Sequence, residues 1–419
     1  TELQVLDAVK DGSFFGLVRC DVQVPPELED RFSEMSPLFG HAKLGEEHMS
    51  AHMRSFVVSS GMSVSAHKSL VGANRAEGML LHSELLRWYL EKGLIASNVT
   101  RTFRYKKKAI FEQFVVQATE SRRQGDSDPS LALHANMAKL SVNSVYGKTI
   151  TNKENHKNVK YSQDPESVSA LIASDRFVSL EELGDGLCEV VNHKRSLAMN
   201  VPVVVGFSIL QLAKLRMLQF YYDCIDRFVD RKDFQYVEMD TDSAYMALSA
   251  PLESILKPGT ERAFWEQYSL WFPRRACEAH GSGFIECMLA GEPWVQDECC
   301  RRITKHDSRT PGLFKEEYRG TGAVALNSKT YVCWDSTKNT SKASSKGISK
   351  RLNELTADVY KDVLQTQQPF TGVNRGFIRK DRQMVTYKQS RAGITYYYVK
   401  RRVLEDGVST APLDITLKF

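Results

Sequence analysis

Hydrophobic and polar positions alternate along residues 14 to 24 (Phe-Phe-Gly-Leu-Val-Arg-Cys-Asp-Val-Gln-Val), which predicts a strand, and Pro25-Pro26 stops it. The pattern then changes period. Leu85, Leu86, Tyr89 and Leu90 share one side of a predicted helix that Ser83 caps and Gly93 closes, and a strand over Val99 to Tyr105 follows. Phe111, Phe114, Val115 and Ala118 recur at i, i+3, i+4 and i+7, an amphipathic helix ending near Arg122-Arg123-Gln124-Gly125. After Asp126-Ser127, Asp128 is an N-cap candidate with Pro129 at the first helical position, and a second helix runs to about Val145. So short a connection predicts two antiparallel neighbours, an αα-hairpin. Residues 150 to 200 read as polar and irregular with one short helix near Glu166 to Ala173. A long helical pattern spans Ser208 to Phe228, and strands over Phe234 to Met239 and Ala244 to Leu248 flank Asp240-Thr241-Asp242-Ser243.

Composition adds bounds rather than detail. The 419 residues are 42% hydrophobic, 10% aromatic and 26% charged, which excludes wholesale disorder and collagen- or mucin-like chains and leaves room for two or three domains. No uninterrupted run of about 18 apolar residues occurs, so no membrane-spanning helix is expected. Thr1-Glu2-Leu3-Gln4 has no signal-peptide character. Eight scattered cysteines suit a reducing, intracellular setting rather than a disulfide scaffold. Their densest group joins Cys277, Cys287, Cys299 and Cys300 with His280 and His306. No C-x2-C spacing recurs, so this region reads as an insertion with free thiols rather than a zinc site.

Charge is modest in total, +5, and uneven in place. Lys342 to Arg402 holds 14 Lys plus Arg against four acids (Glu354, Asp358, Asp362, Asp381), a local +10 that leaves −5 elsewhere. Arg101 to Lys108 adds five cations in eight residues. Tyr387, Tyr396, Tyr397 and Tyr398 interleave with the C-terminal charges. Cations mixed with aromatics suit a phosphate backbone with stackable bases; the same pattern fits a solvated face.

Two constellations carry candidate chemistry. Asp240 and Asp242 sit at the tip of a predicted hairpin, and paired hard oxygen ligands suit Mg²⁺. Lys139, Asn143 and Tyr146 are spaced i, i+4, i+7, so one helix face presents a cation, an amide and an aromatic ring. Gly147-Lys148-Thr149 is not a P-loop: Val142 stands where the first glycine is required, and the segment follows a helix rather than a strand.

Lys139-Leu140-Ser141-Val142-Asn143-Ser144-Val145-Tyr146-Gly147-Lys148 resembles the fingers motif K-x3-N-S-x-Y-G of family B DNA polymerases. About a hundred residues on, Asp240-Thr241-Asp242-Ser243 is similar to that family's D-T-D-S metal motif, and Ser328-Lys329-Thr330-Tyr331 to its K-x-Y element. The three occur in the family's order, and Gly372 to Leu404 resembles its thumb, so the resemblance covers roughly residues 14 to 404. Gly16 to Lys108 and residues 150 to 205 fall where the protein-primed branch (phages, linear plasmids, Polinton-like elements and related viruses) carries insertions.

The resemblance implies an α+β, right-hand polymerase fold with an antiparallel palm sheet, helical-hairpin fingers and a mixed thumb. The divisions it implies are 1–108 (palm remainder plus insertion), 109–149 (fingers), 150–205 (second insertion), 206–335 (palm with a Cys-containing insertion) and 336–419 (basic thumb). It implies two-metal nucleotidyl transfer from a dNTP to a primer 3′-hydroxyl, with Asp242 and Asp240 as Mg²⁺ ligands. Lys139 would neutralise the triphosphate, Tyr146 would pack on the sugar, Asn143 would hold that geometry, and Arg122 and Arg123 would reach the phosphates. Lys329 and Tyr331 would hold the primer terminus, and Arg375 and Lys388 would grip the duplex. Primer-template DNA and a terminal priming protein are the implied partners, and no membrane. The chain departs from the family in lacking D-x-x-S-L-Y-P, whose aspartate completes the metal site, and the exonuclease D-x-E. Both are expected upstream of Thr1, and Asp21 is the only nearby substitute. A reverse transcriptase would place adjacent aspartates at the hairpin and lacks the N-S-x-Y-G helix. The reading from another class is a non-catalytic nucleic-acid binder that kept the basic region.

Overall fold

The computed structural model describes residues 1–380 and 383–419 as a mixed α/β protein with several small sheets. The predicted first strand is Gly16–Gln23, central in a four-stranded sheet. It pairs antiparallel with Arg75–His82 and with Ile95–Arg104. Thr416–Lys418 adds to the outer side of Arg75–His82 in parallel, so this sheet is not purely antiparallel. Arg19 fastens that edge by donating to the Phe419 carbonyl.

The helix Ser83–Glu91 buries Leu85, Leu86 and Tyr89 of its predicted face, while Leu90 is half-buried and Trp88, outside that face, is buried as well. Its cap is His82 rather than Ser83: His82 Nδ1 accepts from the Glu84 N–H, while the buried Ser83 hydroxyl accepts from the Gly16 N–H, 67 residues away. Tertiary demand for a partner at Gly16 takes the serine from its expected role.

The αα-hairpin consists of Glu112–Ser127 and Ala132–Thr149, both longer than expected. Asp128 caps a single turn, Pro129–Leu131, that joins them. The helices cross closely at Gly125, where a Cβ would lie 2.4 Å from that of Ala135. Most of the hairpin is exposed, and only Ala118, Thr119 and Thr149 are buried in it. The amphipathic face therefore covers far less core than its periodicity suggests.

Residues 150–205 are not irregular. Lys157–Ser162, Phe177–Gly184 and Leu187–His193 form a three-stranded antiparallel sheet beside the helix Pro165–Ile172. Its outer strands are mostly exposed, so they carry no apolar alternation for a reader to find.

The central packing element is the helix Val203–Gln219, continued by a π-helical turn Phe220–Ile225 and by Asp226–Phe228. Together, Val203–Phe228 is long and apolar enough to cross a membrane (mean hydropathy 1.4), correcting the expectation that no such helix exists. Its second half lies in the core: Leu215, Leu218, Phe220, Tyr221, Tyr222, Cys224, Ile225 and Phe228 are buried. The wide turn lets consecutive aromatic residues point to different neighbours: Phe220 stacks on Phe314 and Tyr222 donates to the Met35 carbonyl. Its first half meets the αα-hairpin at Gly206, where a Cβ would stand 2.2 Å from Thr149 Oγ1 and 2.4 Å from Ile150 Cγ2. Gly206→Val is expected to lower unfolding free energy by about 1–3 kcal/mol in urea titration, the usual cost of overpacking. An unchanged midpoint would show that the two helices do not meet there.

Candidate functional site

Phe234–Asp240 and Ser243–Leu248 form the predicted hairpin, with Thr241-Asp242 as its tip. The Asp242 N–H donates to the Asp240 carbonyl across Thr241, whose φ is +58°. This is a γ-turn centred on a β-branched residue, a conformation that costs on the order of 1–3 kcal/mol and concentrates at functional sites. The hairpin is docked from behind. The Tyr236 N–H donates to Glu34 Oε1 at 2.9 Å, and the other oxygen of Glu34 receives the Tyr221 hydroxyl and the Arg231 guanidinium.

A second hairpin, Gly322–Asn327 with Thr330–Asp335, delivers the Ser328-Lys329 turn to the acidic tip. Lys329, also left-handed at φ +64°, donates its N–H to Glu238 Oε1 at 3.0 Å and places its ammonium 3.0 Å from Asp240 Oδ1. The ion pair raises the Lys329 pKa. Tyr331 and Tyr245 share a hydroxyl–hydroxyl hydrogen bond with ring centroids 4.5 Å apart. Lys400 donates to Ser328 Oγ behind the turn, and burial lowers its pKa. Asp240, Lys329 and Tyr331 are thus brought together, with Asp242 on the same exposed tip. Glu34, Glu238 and Lys400 are additions that no motif marked; each is identified only by what it reaches.

The donor set suits a hard divalent cation unequally. Asp242 is exposed, and its carboxylate has no hydrogen-bond or ion-pair partner among the described residues. Asp240 is already engaged by Lys329 and by the Thr241 hydroxyl. Asp21 is engaged in its own sheet. It sits at a bulge of the four-stranded sheet, where Oδ1 accepts from the Gly78 N–H (2.6 Å) and Oδ2 from Asn98 Nδ2 (2.9 Å). Both oxygens hold neighbouring strands in register.

Lys139 and Asn143 stand exposed on the second helix of the αα-hairpin without described partners, and Tyr146 is half-buried. Among the described hydrogen bonds, ion pairs and ring contacts, none joins this face to the acidic hairpin. Arg122 is half-buried, and burial together with nearby Arg309 lowers its pKa. Arg123 is not free to reach a phosphate: it donates to the His306 carbonyl and to Thr310 Oγ1.

The C-terminal basic stretch forms a long hairpin, Phe370–Lys380 with Gln383–Ile394. Its register sets Arg375 directly opposite Lys388, both exposed and neither with a described ion pair. Like charges opposed across two strands destabilise the pairing unless an anion lies between them. Tyr387 is exposed beside them, but the other three tyrosines belong to the core. Tyr396 is buried and bonded to His52 and the Gly407 carbonyl, and Tyr397 and Tyr398 are half-buried against the core. They are not available for stacking on bases.

Comparison with family models, with curated proteins and with solved structures returns no match.

Burial raises the Glu238 pKa above its ordinary 4.5, against the opposing effect of the Lys329 N–H. The folded state therefore holds this proton more tightly than the unfolded chain. Below the ordinary value the side chain costs nothing, and stability falls as pH rises through the folded pKa. Glu238→Gln is expected to melt above the wild type at about pH 7 and to converge with it near about pH 4. A gap independent of pH would contradict this assignment.

Proposed function

We propose that this chain is the palm, fingers and thumb portion of a DNA-directed DNA polymerase of family B type, which transfers a nucleotidyl group from a dNTP to a primer 3′-hydroxyl. One observation carries the reading. The aspartate tip and the Lys-x-Tyr turn, whose Glu238–Lys329 contact spans 91 residues of sequence, meet at a shared cluster of charge. In this reading 109–149 are the fingers, 206–335 the palm and 336–419 the thumb, with 1–108 and 150–205 as palm remainder and insertions.

Asp242, together with Asp240 once Lys329 is displaced, would hold Mg²⁺, which when bound supplies Lewis-acid activation and charge neutralisation for phosphoryl chemistry. The chain's own groups do the rest. Lys139 offers a fixed cation to the incoming triphosphate, worth most where charge develops. Tyr146 packs on the sugar and Asn143 orients it. Lys329, paired with a carboxylate, exchanges that partner for the primer phosphate, while Tyr331, braced by Tyr245, supports the terminus. Arg375 and Lys388 straddle the backbone of the duplex. The partners are primer-template DNA, dNTP and a terminal priming protein.

A second reading, a nucleic-acid binder without catalysis of its own, is favoured by a specific observation. Asp21 is spent on its sheet and Asp240 on Lys329, so Asp242 is the one hairpin carboxylate left unengaged among the described residues.

Residues 1–419 alone are therefore expected to bind a primed template but not to extend it with Mg²⁺ and dNTPs. Robust extension that Asp242→Ala lowers by at least about 100-fold, the scale of removing one transition-state stabiliser, would show instead that the metal site is complete within these residues. Binding without any extension would leave the second reading standing. In fluorescence anisotropy, Arg375→Ala/Lys388→Ala is expected to flatten the slope of log K against log salt by about 2, two phosphate contacts at roughly 0.9 each. An unchanged slope would remove the basic hairpin from the interface.

A further inference from the structure

Cys277, His280, Cys299 and Cys300 come from two separate segments, yet their ligand atoms all lie within 4.8 Å of one another. The sulfur–sulfur separations are 3.3 Å (Cys277–Cys299), 3.9 Å (Cys277–Cys300) and 4.0 Å (Cys299–Cys300). His280 Nδ1 stands 3.2, 3.4 and 3.5 Å from the sulfurs of Cys277, Cys299 and Cys300. A tetrahedron built on Zn–S bonds of about 2.3 Å and a Zn–N bond of about 2.0 Å has edges of about 3.8 Å between sulfurs and about 3.5 Å from sulfur to nitrogen. All six observed edges lie close to these values. No pair is bonded as a disulfide, which would bring two sulfurs to about 2.05 Å.

We propose that these four side chains form a structural zinc site of the Cys₃His type. Soft thiolates with one imidazole in a tetrahedral array select zinc over the hard cations that suit the acidic hairpin. Four protein ligands fill the coordination sphere, so the site is closed and its role is to hold structure rather than to activate water. Cys299 and Cys300 lie in the first turn of the helix Glu298–Asp307, and the Cys299 thiol stands 3.1 Å from Asp297 Oδ1. The Cys277 N–H donates to Cys300 Sγ at 3.4 Å, an outer hydrogen bond of the kind that orients ligands. Asp297 caps the same helix through the Cys300 N–H.

The placement explains what a metal would do here. Cys277 and His280 open the helix Gly281–Leu289, and the next helix begins 18 residues after His280, so one ion staples the two helix entries. The far end of the second helix is fixed separately by the bidentate Arg274–Asp307 pair. That end also carries the His306 carbonyl and Arg309, which hold Arg123 and Asp126 of the αα-hairpin. The staple therefore steadies the surface on which the αα-hairpin leans. Cys287 and His306 take no part: Cys287 donates to the Glu292 carbonyl, and His306 faces Asp307. This inference does not rest on the polymerase reading.

The test is metal analysis of the full chain purified under reducing conditions. One zinc per chain is expected by elemental mass spectrometry, falling below about a tenth in Cys299→Ser and in Cys300→Ser and staying at one in Cys287→Ser. Should the serine variants fail to fold, Co²⁺ added to the zinc-stripped wild type decides the matter. Tetrahedral thiolate–cobalt absorption bands that zinc abolishes are expected. Absence of those bands, zinc content indifferent to Cys299→Ser in a folded variant, or a Cys277–Cys299 disulfide in the reduced preparation would each overturn the proposal.

Discussion

A two-stranded hairpin buries too little to hold its own place, so the acidic tip depends on what docks it. The dock is the Glu34 carboxylate, which is only 15% exposed and gathers the Tyr221 hydroxyl, the Arg231 guanidinium and the Tyr236 N–H. One of these donors belongs to the π-helical turn of the core helix, one to the single 3₁₀ turn Arg231–Asp233 and one to the first strand of the hairpin. A buried carboxylate without donors is costly, so each partner is held as firmly as the charge demands. The position of Asp240 and Asp242 is in this way inherited from the core helix. The strained turn at Thr241 can persist because the strands on either side are fixed from below.

The candidate charges without internal partners sit on three separate elements. Asp242 at the tip, Lys139 on the αα-hairpin, and Arg375 opposite Lys388 on the basic hairpin are exposed and unpaired among the described residues. Some other long cations are committed to carboxylates or carbonyls, as with Arg123, Arg274 and Arg401. An outside anion or cation could complete the unpaired charges, as a binding surface requires. Lys329 stands between the two conditions, satisfied by Asp240 but exposed enough to exchange it.

Several elements were legible from local pattern. Alternation identified the strand at Gly16–Gln23 and both strands of the acidic hairpin, and Asp128-Pro129 marked the break between the two long helices. The sheet within 150–205 was not legible, because its outer strands face solvent on both sides. The Cys/His group was visible as a concentration of ligand-type residues, but not as a metal site. Its spacing, two residues between Cys277 and His280 and none between Cys299 and Cys300, matches no repeated pair, and only the folding of two helix entries against each other makes four ligands of it. Within the candidate site, Asp240, Lys329 and Tyr331 could be named from their motifs, but their contact could not. Arg123, Asp21 and three of the four tyrosines carried the right chemistry and were committed elsewhere.

The sequence by itself determined the order and type of several elements, the location of the positive charge and the inventory of reactive side chains. These are consequences of periodicity and turn chemistry, which act over a few residues. Tertiary structure alone decided which of those side chains stayed available. Ser83 left its helix cap for Gly16, Asp21 gave both oxygens to its neighbours, and Lys329 crossed to Asp240. A buried polar group must find a partner wherever packing brings one, and packing joins residues that local pattern cannot relate.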